Sequence, residues 1–423
     1  MHELVVSLNA PDATDASRFG AKAANLAALA RAGLPTPGGW CVDAQAYRMQ
    51  LAALGLEAAA RGAFSSEDRP QARRHALDLK LGLMGKPVTP AVLEPLLGAW
   101  RAVRATGGAV VVRSSALVED RAASSFAGQF QSYLGLETEE DFVTAVRACW
   151  AALWSTRALR YMATHDLDPA DTAMALIVQP LVPARAAGGG HSRTADGGML
   201  INAAAGLGAA IAQGEVVPDR YVLDASGKLA ESALGRKYHA AGCAHGRKAL
   251  SRALFGAPCL DAEQIAELGL LMRKAEEIAG APVEIEWAVD ESGIKLLQAR
   301  PLHVGEASVP SELWRRHPRL NGHPSGVGWG EGRARVVNCE CELSRVGPGD
   351  ILVTTVAGPA LSDVLPHLAG VVAELGGSTS HLASLARERG IPMVLGVTDA
   401  TRQIPEGSMV AVDGVAGVVR WMS

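Results

Sequence analysis

The sequence is short of aromatic residues, of basic runs and of long apolar stretches, and each shortage removes a class of function. Aromatic residues make up 4% of the 423, too few for a base-stacking platform. No run of Lys and Arg is long enough to follow a phosphate backbone, and the formal net charge is −4, so no nucleic-acid partner is expected. No uninterrupted apolar stretch reaches membrane-spanning length, and the opening MHELVVSLNAPDATD lacks a secretory pattern. The expected location is therefore the cytoplasm, with no membrane partner. Six cysteines stand at 41, 149, 243, 259, 339 and 341, with no second pair at zinc-site spacing beside Cys339 and Cys341. All six are expected to be reduced. There is no repeat of fixed period and no low-complexity tract.

What is present suits a globular protein of several domains. Hydrophobic residues make up 48% and charged residues 20%. A mixed block, 1–305, is followed by 306–325 (EASVPSELWRRHPRLNGHPS), rich in Pro, Arg and His and without periodicity, which reads as a linker. Residues 326–423 alternate short apolar strands, near 351–355, 370–375, 393–397, 409–413 and 418–422, with one clear helix, about 380–389. A helix over 17–32 carries Leu26, Leu29 and Ala30 at helical spacing, holds Lys22 in its early turns and stops at Gly33. The β-branched run 109–116 predicts a buried strand that exits at Arg113-Ser114-Ser115, before the polar loop 119–129.

Two segments carry chemistry. In Val283-Glu284-Ile285-Glu286-Trp287, strict alternation puts both carboxylates on one strand face. A turn at Glu291–Gly293, with Gly293 in the left-handed region, leads into a strand bearing Gln298 and Arg300 on one face. Two carboxylates side by side call for a compensating cation: Arg300, or a divalent metal on Glu286 and Gln298. A solvated hairpin face with one cross-strand ion pair explains the same spacing. The second segment, Gly376-Gly377-Ser378-Thr379-Ser380-His381, leaves a strand and opens a helix. Its glycines permit a tight turn, Thr379 or Ser380 can cap, and the positive end of the helix dipole favours a neutral, nucleophilic His381 beside backbone N–H groups that welcome phosphate. His2, His75, His165, His303 and His317 read as surface residues, and His239 and His245 lie in loop-like sequence.

With these motifs in place, the chain resembles the pyruvate phosphate dikinase and phosphoenolpyruvate synthase family, including the rifampicin phosphotransferases. The similarity runs through FGAKAANLAALARAGLPTPGGW (19–40), VVVRSSALVEDRAASSFAGQFQSYL (110–134), VQPLVP (178–183), GLGAAIAQGEVVPDRYV (206–222), VEIEWAVDESGIKLLQARPL (283–302) and 349–397. It implies an α/β (α+β) fold: an ATP-grasp nucleotide-binding domain over 1–305, a hinge linker over 306–325 and a small swivelling β/β/α phosphohistidine domain over 326–423. It further implies that Lys22 and Arg113 meet ATP phosphates and Gln179 the adenine. Glu284, Glu286, Gln298 and Arg300 would serve the triphosphate, Glu286 and Gln298 would hold Mg²⁺, and the loop after Arg113 would close over the nucleotide. The catalytic set would be His381 with Arg300 and Gln298. ATP and Mg²⁺ are the implied cofactors.

The sequence departs from the family at Asn202 and Ala209, where glutamates are expected, at Leu382 after the histidine, and at Glu284, where aspartate is common. Residues 186–198 follow the pattern only loosely. Neither the pyruvate-binding barrel of the dikinases nor the inserted acceptor domain of the rifampicin enzymes has a counterpart here. The implied activity is a dikinase-type transfer: the ATP β-phosphoryl group to His381 with release of AMP, then onward to a small-molecule hydroxyl or enol acceptor, held in a cleft or by a separate subunit. Alternative readings are a synthase subunit working with a separate pyruvate-binding chain, a non-catalytic ATP-binding relic, and a ligase that phosphorylates before condensation. Thr379 is expected to cap the helix, with the family's regulatory phosphorylation point as the alternative.

Overall fold

The β-branched and alternating runs become strands, and the sheets they build are antiparallel in the first half of the chain and mixed in the second. The computed structural model describes residues 3–65, 69–119, 130, 132–164, 167, 172–236, 257–306 and 312–422. His2, His165, His239, His245, Cys243, residues 120–129 of the expected lid and 307–311 of the expected linker lie outside them. Two compact units result: Met1–Val182 with Lys295–Arg300, and Pro183–Ile294 with Pro301–Ser423.

The first unit holds β1 (Val5–Ser7), β2 (Trp40–Val42), β3 (Val110–Ala116), β4 (Ser132–Leu136) and β5 (Met174–Pro180), in the order β1–β2–β5–β3–β4 with every neighbour antiparallel. Helix Ala16–Arg31 packs Phe19, Ala23, Leu26 and Ala27 against Val6, Leu8, Cys41 and Ile177. This helix is broken at Gly20, which has φ 74° and ψ 157°. A Cβ there would lie 2.5 Å from the Ser115 carbonyl oxygen, so only glycine lets the chain pass. The buried Ser115 hydroxyl heals the break: it donates to Phe19 O (2.7 Å) and accepts from Ala23 N (3.1 Å). A strand residue thus caps a helix 92 positions earlier, and Lys22 falls in the first turn after the cap.

The second unit holds β6 (Ala186–His191), β7 (Met199–Ala205), β8 (Asp219–Leu223), β9 (Leu229–Ala233) and β10 (Val283–Asp290). These run β10–β6–β7–β8–β9, antiparallel throughout. Helix Ala262–Ala279 begins with a capping box, Asp261 with Gln264, and ends at Gly280 with φ 69°. After β10, Glu291 and Ser292 make the turn, and Gly293 opens β11 (Gly293–Pro301) at φ 106°. Three glycines in a row, Gly188 to Gly190, leave the middle of β6 without side chains.

The rest of this unit is an eight-stranded mixed sheet. Its strands are β12 (Arg319–Asn321), β13 (His323–Pro324), β14 (Trp329–Val337), β15 (Ile351–Thr354), β16 (Gly370–Ala373), β17 (Met393–Leu395), β18 (Met409–Asp413) and β19 (Val418–Trp421). The order is β12–β19–β18–β14–β15–β16–β17–β13, with β14 to β17 parallel. Ile351, Val353, Val372, Val394, Val410 and Val412 form its core. The five strands expected here are present. Residues 319–324, read as part of the linker, are two short edge strands paired with β19 and β17. Strands of two or three residues are too short to show a period in sequence. Trp314 is packed here too, its indole N–H donating to Glu331 (2.7 Å).

The expectation that all cysteines are reduced is corrected at one place: Cys339 and Cys341 form a disulfide. Their Cα atoms are 5.2 Å apart, inside the normal range even though only one residue intervenes. Cys41, Cys149 and Cys259 are buried and lie outside the disulfide.

Candidate active site

In the first unit, Lys22 is buried and its ammonium pairs with the equally buried Glu119. Glu119 also accepts from Ala116 N (3.1 Å), so the pair ties the first turn after Gly20 to the end of β3. Arg113, on β3, reaches the segment Lys295–Arg300: its guanidinium donates to Leu297 O (2.5 Å) and to Gln298 Oε1 (2.8 Å). The same segment is held by Leu296 N to Pro35 O (2.8 Å) and by Asn25 Nδ2 to Ala299 O (3.2 Å). Gln298 and Arg300 are both buried. Gln179, buried on β5, donates to Gly38 O (2.7 Å). Lys22, Arg113, Gln179, Gln298 and Arg300 therefore all belong to one unit, as does Glu119, a partner that the spacing of Lys22 did not reveal.

In the second unit, β16 ends at Ala373 and the loop 374–380 leads into helix His381–Glu388. His381 is the first helical residue. Ser380 is the N-cap, its hydroxyl accepting from Ala383 N (3.3 Å). Thr379 is not the cap. It is 9% exposed, accepts from Asn202 Nδ2 (3.3 Å) and packs over Gly189, where an added Cβ would come within 2.6 Å of Thr379 Cβ. Gly189 is the seat of this loop, whereas Gly188 is closed in by Asn202 and Trp287 and Gly190 by Met272. Gly376 N donates to Val216 O (3.1 Å), and Arg236 donates to Glu374 O (2.7 Å).

Glu284 and Glu286 share a face of β10, as alternation requires, with Glu284 buried and Glu286 half-buried. Glu284 is engaged by the histidine helix. The Ser384 hydroxyl lies 3.3 and 3.1 Å from its two carboxylate oxygens, and Arg387 Nη2 donates to Oε2 at 2.8 Å. Arg387 further donates to Ser378 O (2.6 Å) and Ser325 O (3.2 Å). His323, overlooked in the sequence, is largely enclosed near Gly396 and Val217, and burial with Arg220 and Arg236 pushes its pKa down to about 4.

Among the described residues no three His, Cys, Asp or Glu side chains cluster as a metal cage. Mg²⁺ does not need one, since it commonly takes one or two protein oxygens and completes its shell with water and phosphate. The Gln298 amide oxygen of the first unit, oriented by Arg113, and the Glu286 carboxylate of the second are each donors of the right hardness.

A buried lysine and two arginines gather in the first unit, a helix-opening histidine stands beside a small sheet in the second, and the family matches make these an ATP-grasp-type domain followed by a mobile domain. The chain belongs to the pyruvate phosphate dikinase, AMP/ATP-binding domain family, which it matches over residues 16–317. Residues 346–417 match the PEP-utilising enzyme, mobile domain. The chain is 31% identical over 420 residues to the probable phosphoenolpyruvate synthase of Methanothermobacter thermautotrophicus, covering 96% of this chain and 61% of that protein. Against the phosphoenolpyruvate synthase of Pyrococcus furiosus it is 30% identical over 465 residues, covering 96% of this chain and 57% of that one. Against the prodigiosin synthesizing transferase PigC of Serratia marcescens it is 36% identical over 331 residues, covering 75% and 35%. The chain thus spans about three-fifths of the length of the synthases it matches. No helix among the described residues is long and apolar enough to cross a membrane.

Proposed function

We propose that this chain is an ATP-dependent dikinase-type phosphotransferase that carries a phosphoryl group on His381. The observation that supports this best is the setting of the histidine: first residue of a Ser380-capped helix, after a glycine turn seated on β6 and β7. A ring nitrogen attacks the ATP β-phosphorus, the bridge to the α-phosphate breaks, and AMP leaves. The γ-phosphoryl group is then cut away to water or phosphate, leaving phosphohistidine.

In this reading Lys22, Arg113 and Arg300 neutralise phosphate oxygens and Gln179 meets the adenine. Glu286 and Gln298 would hold Mg²⁺, which when bound shields the charge between phosphate oxygens. Glu284 is left out of the nucleotide set, because both its oxygens are engaged by Ser384 and Arg387. The domain limits 1–305 and 326–423 belong to the same proposal. The hinge narrows to residues before Arg319, since β12 and β13 are built into the sheet of the small domain. An ATP-consuming reaction fits the cytoplasm.

The acceptor is a small-molecule hydroxyl or enol. A second reading, supported by relatives named phosphoenolpyruvate synthase, makes the acceptor pyruvate, bound by a part of the assembly outside this sequence. ATP labelled at the β-phosphate, with Mg²⁺, is expected to leave acid-labile label on the protein and release AMP. Equal label in His381→Ala, or none in the native chain, sinks the proposal. Discharge by pyruvate selects the second reading.

A further inference from the structure

We propose that Glu284, Ser384 and Arg387 form a docking latch that positions His381 over the β10 sheet, and that Glu284 serves this purpose instead of binding metal or triphosphate. The purpose of the latch rests on the reading of His381 as phosphoryl carrier. Its geometry does not.

Arg387 is nearly sealed from solvent, with 6% of its side chain exposed against 5% for Glu284. A guanidinium in that setting is tolerated only if its N–H groups are satisfied. Here it donates to the Glu284 carboxylate, to Ser384 Oγ (3.0 Å), to Ser378 O and to Ser325 O. One side chain thereby joins four places: strand β10, the His381 helix, the histidine loop and the turn before β14. Ser384 lies three positions after His381, on the same side of the helix. Anchoring it to Glu284 holds His381 within about 5 Å along the helix axis of the latched carboxylate. Glu286 lies about 7 Å along β10 on the same face. The latch therefore sets the register between the histidine and the candidate metal ligand.

The chemistry of the contact suits a surface that is released and re-formed. A buried ion pair gives little net stability but fixes orientation strongly, whereas an apolar surface of the same area would hold the domain without choosing a register. The rest of the seat is of the same kind: Asn202 to Thr379, Arg236 to Glu374 O, and the bare Gly189 of β6. The extra methylene of glutamate at 284 also gains a purpose. Aspartate would withdraw the carboxylate by about 1.5 Å, out of reach of Arg387.

Glu284→Asp in the full chain separates the two roles. A metal or triphosphate ligand withdrawn that far loses ATP affinity, because Mg²⁺ holds its oxygens at about 2.1 Å. A latch does not. The expected result is unchanged ATP affinity, labelling of His381 slowed about tenfold, and faster hydrogen exchange across 376–390. Native labelling and exchange in Glu284→Asp overturn the latch. So does a loss of ATP affinity that accounts for all the slowing. If the native chain takes no label, the phosphohistidine reading has failed, and exchange across 376–390 alone decides the latch: unchanged protection in both E284D and E284R refutes it.

Discussion

Lys22 and Glu119, 97 residues apart, form a buried ion pair beneath the Gly20 break. The lysine matched to ATP phosphate is thus already paired with a protein carboxylate. Removing one partner leaves the other charge buried and alone. Lys22→Met should destabilise the first unit by about 3 kcal/mol, and K22M/E119Q should regain most of that. Chemical denaturation measures both. ATP titration should find binding weakened in both variants, because the double change restores the fold and not the phosphate contact. Full ATP affinity in K22M/E119Q would remove Lys22 from the nucleotide site.

Gly20→Ala places a methyl group against the Ser115 carbonyl at a positive φ. Strain and overlap together should cost about 3 kcal/mol. A melting temperature equal to that of the native chain would show that the break can relax.

Gly189→Ala pushes a methyl group into Thr379. The loop should lift from β6, and His381 should label roughly tenfold more slowly with ATP affinity intact. Adding Thr379→Gly, which clears the overlap, should restore part of the rate. No change on Gly189→Ala would mean that the seat does not matter to transfer.

His323 makes the second unit sensitive to acid. Its folded pKa is held near 4, below the ordinary 6.5, by burial and by Arg220 and Arg236. Between those values the unfolded chain binds a proton that the folded chain refuses, so stability falls as pH drops from about 6.5 to about 4, by roughly 3 kcal/mol. Denaturation series at pH 7, 5.5 and 4.5 should show this slope, and it should flatten in His323→Gln. A slope unaltered by that change would place the acid sensitivity elsewhere.

Burial raises the Cys41 thiol to about 12 and pushes Cys149 higher still. Neither should react with iodoacetamide at pH 8 until the chain unfolds. Cys339 and Cys341 should become reactive only after reduction. Mass mapping of alkylated peptides tests each site.

Much of the fold was legible because it is locally written. The helix carrying Lys22, the strand ending in Arg113 and the five strands around His381 announce themselves by apolar spacing and glycine stops. The seat of the histidine was not legible. Gly189 looks like a flexible residue until Thr379 is placed against it, and Arg387 looks like a surface arginine near a helix end until Glu284 arrives from about a hundred positions away. A signal did exist. His381, Ser384 and Arg387 recur every three positions, which gathers three polar side chains along one flank of a short helix, away from the apolar Leu382, Leu385 and Ala386.

Strand β11 starts in one unit, passes six residues through the other and returns. That passage works as a stitch. A single cut at 182 would strip Lys295–Arg300 of Pro35, Asn25 and Arg113, and a single cut at 305 would part β6 to β10 from the residues that share their unit. Chimaeras that exchange residues 1–182 with those of a relative should therefore fold best when Lys295–Arg300 is exchanged with them.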